Sequence, residues 1–64
     1  MNVTDTNNKE WRVIETITGL AARRAQISPN FGQINIERDN KQKGIQLPEH
    51  IITRWIAGEI KVKV

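Results

Sequence analysis

The chain of 64 residues has one serine, Ser28, one histidine, His50, and no cysteine, the side chains that most often supply nucleophile and base. Nucleophilic catalysis requires a nucleophile, a base beside it and a third group that orients the base. Those parts are too few here. Glu49 and His50 are neighbours in sequence, and successive helical positions point about 100° apart, so they do not form a chelating pair. With one histidine, paired-histidine metal spacing is impossible, and without cysteine there is no thiolate metal site. The carboxylates are scattered singly, and the glycines at 19, 32, 44 and 58 punctuate elements instead of forming a phosphate loop. The expectation is a protein that is not an enzyme, with no cofactor, no metal and no small-molecule substrate. A role as a subunit completing a larger enzyme's site stays open.

The positive side chains are the other candidates. Ten Lys and Arg against seven Asp and Glu give a formal charge of +3 and a pI near 9.8, which permits binding to a polyanion without requiring it. Three groups stand out: Arg23 and Arg24, then Arg38, Lys41 and Lys43 within "RDNKQKG", then Lys61 and Lys63 at the C-terminus. Each has a structural explanation. Cations in the last turn of a helix complement its dipole. Asp39 and Asn40 favour a bend, and lysines keep strand ends soluble and guard exposed edges. For residues 38–44 the turn is the favoured explanation, because Glu37 and Asp39 dilute the positive charge. Should the groups converge in space, these seven residues form a footprint on a phosphate backbone. The only aromatic residues are Trp11, Phe31 and Trp55, too few for a stacking platform on splayed bases.

The pattern of apolar residues predicts what positions these groups. Residues 1–8 are polar and without period, which predicts a loose leader before a single domain at 9–64. Trp11, Ile14, Ile17, Ala21 and Ala25 recur at three and four, with Val13 and Leu20 widening the stripe, which predicts a helix over about 8–26. Asn7 and Glu10 resemble a capping box. Gly19, and the strand preference of Thr16, Ile17 and Thr18, are its weak points. "SPNFG" at 28–32 stops the helix. "QINIER" and "GIQL" then alternate on either side of the polar tip, the mark of a hairpin. "LPEHIITRWIAGE" reads as a second helix, with Pro48 at its first position, Glu49 in its first turn, and Gly58 as its stop. Ile51, Ile52, Trp55 and Ile56 make its apolar wedge, for which core is the default reading. "EIKVKV" closes the chain as a third strand, with Ile60, Val62 and Val64 alternating against lysine.

The expected fold is α+β: a small single domain ordered helix-strand-strand-helix-strand, an antiparallel hairpin packed on two helices. A body of this size buries only about 60% of its unfolded surface, and no disulfide or metal staples it. Its strands therefore invite pairing with a second copy or a client. The first functional expectation is a small regulatory protein that binds protein, by self-association or client capture, along residues 59–64. Ile60, Val62 and Val64 are the expected interface, and Trp11, near a loose leader, the expected exposed anchor. The alternative is a small basic nucleic-acid-binding regulator using Arg23, Arg24, Arg38, Lys41, Lys43, Lys61 and Lys63. No apolar run is long enough for a bilayer span or a secretion signal, and the lack of cysteine suits a reducing compartment, so the expected setting is cytoplasmic, away from membranes.

Overall fold

A computed structural model of the chain describes residues 1–19, 24 and 31–64. Four antiparallel strands lie side by side in chain order, β1 (Asn2–Thr4), β2 (Glu10–Thr18), β3 (Phe31–Arg38) and β4 (Lys41–Pro48), and helix α1 (Glu49–Ile56) follows them. The expected order of helix, strand, strand, helix, strand is therefore incorrect, as is the packing of a hairpin on two helices. The architecture is a four-stranded antiparallel sheet with one C-terminal helix.

The error arises in β2, where residues 10–18 of the expected first helix are strand. Val13 pairs with Ile36 and Glu15 pairs with Asn35, so Ile14 is an extra residue in a β-bulge. Before the bulge Trp11 and Val13 turn toward the core. After it Thr16 and Thr18, opposite Ile34 and Gly32, take over that face. The inserted residue spaces Trp11, Ile14 and Ile17 by three and imitates a helical stripe, although Ile14 is 41% exposed. Five of the nine residues are β-branched, and stiff, branched side chains favour the pleated sheet over the helix. The rest of the expected helix, at 20–23 and 25–26, lies outside the described residues.

The first eight residues, expected to be loose, instead supply β1 and its turn. Val3 pairs with Trp11 and is buried. The Asp5 N–H donates to the Lys9 carbonyl at 2.9 Å, and Asn8 takes φ 62°, closing a three-residue turn over 6–8. The expected hairpin is present in the pairing of β3 with β4. Its turn is the two residues Asp39 and Asn40, with φ 52° and 63°, and both strands run up to it. Two positive φ values define the turn type whose twist matches the flanking strands.

One face of the sheet carries the core. Ile34 and Ile36 of β3, Trp11 of β2 and Val3 of β1 are buried against Ile52 and Trp55 of α1, and Val13, Ile45, Leu47 and Ile56 pack around them. Gly32 sets the depth of the helix, because a Cβ there would lie 2.7 Å from Ile52 Cδ1 and 2.9 Å from the Leu47 carbonyl. The Trp55 indole N–H donates to the Thr4 carbonyl at 2.8 Å, tying the helix to β1. Pro48, expected as the first helical residue, is the N-cap. The helix ends in a Schellman motif: Gly58, at φ 78°, donates to the Trp55 carbonyl, and Glu59 donates to the Arg54 carbonyl.

The expected third strand at the C-terminus is an extended segment touching the sheet once. Val62 bridges Asp5 in parallel, with the Thr6 N–H donating to the Val62 carbonyl at 3.2 Å. Ile60, Val62 and Val64 are half-buried against the core, while Lys61 and Lys63 are exposed. Among the described residues no helix is long and apolar enough to cross a membrane.

Candidate nucleic-acid interface

The tight turn at Asp39–Asn40 places Arg38 directly opposite Lys41, and Lys43 lies two pairs further along, opposite Ile36. Alternation along a strand puts all three on the face that carries the core, at the end where the sheet extends beyond its apolar side chains. Glu37 belongs to the other face. There it takes a 3.1 Å hydrogen bond from Arg12 and one from Gln42, and these, Arg12 foremost, hold its carboxyl below the ordinary value. The acid that dilutes the cluster in sequence is thus separated from it by the thickness of the sheet. Asp39 remains nearby, but it is 82% exposed and its carboxylate lies 3.7 Å from Arg38. An exposed pair of that kind adds little stability, but the Asp39 charge still offsets part of the cluster's.

Trp11 organises the cluster from beneath. The Arg38 guanidinium carbon is 5.9 Å from the centre of its ring and the Lys43 ammonium 5.6 Å, both within the range where the ring quadrupole attracts a cation. The ring is held in turn by its N–H, which donates to Asp5 Oδ2 at 2.8 Å. Asp5 Oδ1 accepts the backbone N–H groups of Asn7 and Lys9 at 2.8 and 3.0 Å. The Trp11 hydrogen bond foremost, then those backbone donors and the charge of Arg38, lower the Asp5 pKa against the burial that would raise it. Asp5 therefore remains a carboxylate in a buried position, fully supplied with donors.

Both turns, 6–8 and 39–40, lie at the same end of the antiparallel sheet, and the C-terminal segment meets that end. Lys61 donates to the Asn8 side chain, and Lys63 follows on the same exposed side of the segment. Arg38, Lys41 and Lys43 on β3 and β4, and Lys61 at the β1–β2 turn, thus lie at the same end of the sheet but toward its opposite edges. Arg24 is exposed, in the connection that leaves β2 and enters β3 at the opposite end, and Arg23 lies outside the described residues. The open face of the sheet is polar but not cationic. Asn2 bonds Glu10, Arg12 bonds Glu37, and Asn35 bonds Glu15, so three carboxylates there meet one arginine.

Trp11 is 7% exposed and is not the exposed anchor expected of it. Asp5 is the residue that the sequence reading missed. Its signal was local: an aspartate that accepts the N–H groups of the second and fourth residues after it is the signature of a side-chain-closed turn, written here as "DTNNK". His50 is exposed on α1, and no group of three or more His, Asp or Glu that could hold a metal occurs among the described residues.

Compared with known protein families, curated proteins and solved structures, the chain matches none.

Proposed function

We propose that this is a non-catalytic protein that binds the phosphate backbone of nucleic acid through Arg38, Lys41 and Lys43, with Lys61 and Lys63 extending the contact. The observation that carries this reading is the gathering of three cations on one face of one hairpin, two of them over the buried Trp11 ring. Cation–π contact and the anchored indole restrict two of the three head groups before any ligand arrives, which reduces the ordering cost of binding. Contacts of this type read charge and spacing, not base identity, so binding is independent of sequence. With no cysteine to oxidise, the protein suits a reducing, nucleic-acid-containing compartment such as the cytoplasm.

Release of counterions gives the test its magnitude. Three phosphates neutralised correspond to a slope of log affinity on log salt of about −2 for a single strand and about −3 for a duplex, so affinity falls roughly 20- to 40-fold between 50 and 200 mM salt. Fluorescence anisotropy with short mixed-sequence DNA oligonucleotides measures both. Glutamine at positions 38, 41 and 43 keeps most of each stem and removes the charge, and it should reduce the slope by about 2 to 3, leaving only the share of Lys61 and Lys63. Arg12→Gln, on the open face, should leave affinity unchanged. Absence of binding at 50 mM salt, or an unaltered slope in the triple variant, refutes the reading.

Self-association or capture of a client strand is the second reading. It draws on β4, an eight-residue strand whose outer edge has no partner among the described residues. The C-terminal residues favour it less, because their apolar side already faces the chain's own core. Sedimentation at micromolar concentration separates the two, since a monomer that binds DNA leaves strand pairing without a purpose.

A further inference from the structure

We infer that residues 59–64 form a strap whose docking is coupled to polyanion binding, so that a phosphate chain gripped at the sheet end also fastens the C-terminus. This rests on the nucleic-acid reading above and adds a conformational step to it.

The strap is lightly held beyond the Schellman motif that fixes Gly58 and Glu59. Beyond Glu59, whose N–H still caps the helix, the backbone contact given to the sheet is the Thr6 N–H on the Val62 carbonyl, at 3.2 Å. Its apolar side chains, Ile60, Val62 and Val64, are only half-buried. Half-burial of three side chains offsets only part of the ordering cost of six residues. A segment held so lightly opens locally without unfolding the sheet.

The strap's two faces do different things. The apolar side packs against the buried core cluster. The opposite side carries Lys61 and Lys63, and Lys61 reaches Asn8 in the β1–β2 turn, at the end of the sheet where Arg38 and Lys41 meet. A phosphate chain crossing that end engages all of these cations only when the strap is docked. By linkage, a ligand that prefers the docked state increases its population, and the docked state binds the ligand more tightly by the same factor.

The Thr6 amide reports docking directly, because its partner is on the strap. In the intact protein, saturation with a mixed-sequence DNA oligonucleotide should slow hydrogen exchange at Thr6 by about fivefold or more, the lower end of ordinary coupling, relative to amides of β3. Lys61→Gln combined with Lys63→Gln should still bind through the hairpin, several-fold more weakly, with the Thr6 rate unmoved by DNA. Binding by anisotropy with no change at Thr6 in the intact protein overturns the strap and leaves the hairpin reading standing. Slowing that persists in the double variant also overturns it, since the lysines are then not the link. No binding at low salt removes both.

Discussion

Two glycines in paired strand positions offer a direct test of how the helix is seated. Gly32 and Gly44 both lie between partners in the β3–β4 ladder, so replacement of either by alanine brings the same gain in backbone entropy, at most about 1 kcal/mol. Their surroundings differ. At Gly32 the new methyl would meet Ile52 Cδ1 at 2.7 Å and the Leu47 carbonyl at 2.9 Å. Ile52 is 1% exposed and has nowhere to turn, and the carbonyl belongs to the ladder itself. Overpacking of this kind costs about 1–3 kcal/mol, which leaves a net loss of up to about 2 kcal/mol after the entropy gain. For 64 residues, each kcal/mol corresponds to about 7 °C in Tm, so Gly32→Ala should melt below the wild type, by up to about 15 °C. At Gly44 the methyl meets the amide tips of Asn35 and Gln33 at 2.9 and 3.0 Å, on the open face where they can swing aside. Gly44→Ala should match the wild type or exceed it by a few degrees, on the scale of about 0.5 kcal/mol. Thermal unfolding followed by tryptophan fluorescence suits the assay, because both indoles are buried. Equal melting temperatures for the two variants would refute the seating of α1 on Gly32.

Three further outcomes follow from named contacts. Asp5 has its pKa lowered in the folded state, so the stability it contributes is present above the unfolded value and is lost as the pH falls below about 4; Asp5→Asn should be less stable at neutral pH and lack that acid-side loss, as measured by urea unfolding across pH. Asn40→Gly relieves a positive φ in a two-residue turn that favours glycine at its second position, and should raise the urea midpoint by the equivalent of about 0.5 kcal/mol. Trp55→Phe keeps the apolar bulk but strands the Thr4 carbonyl, at a cost of about 1–3 kcal/mol, visible as a lower Tm with the sheet's circular dichroism retained.

The second half of the fold is legible because its signals are local and agree with one another. Alternation in 33–38, Asp39–Asn40 at the bend, Pro48 before the helix and Gly58 after it each specify one conformation, and no competing period runs through them. The first half is not legible because one inserted residue, Ile14, changes the apparent period of β2 from two to three, and periodicity is the main guide. The leader misleads for a different reason: Val3 is a lone apolar residue, and its burial depends on Trp11, which the helical reading turns elsewhere. The cation cluster could be suspected but not placed. Charge along the sequence counts Glu37 among its neighbours, whereas the pleat sends Glu37 to the opposite face. The turn-forming role of Asp5 is legible in "DTNNK", but its bond from the Trp11 indole is not, because that contact exists only when β1 and β2 pair.

The ties of Trp55 to Thr4 and of Val62 to Asp5 make the first and last stretches of this polypeptide a single joint. During translation the sheet can begin to form from its earlier strands, but the roof over Val3 is missing until residue 55 has emerged and the rim stays open until residue 62. A ribosome-bound chain halted before that point exposes Val3 and Trp11 to solvent, so closure of this core waits for residues 55–62.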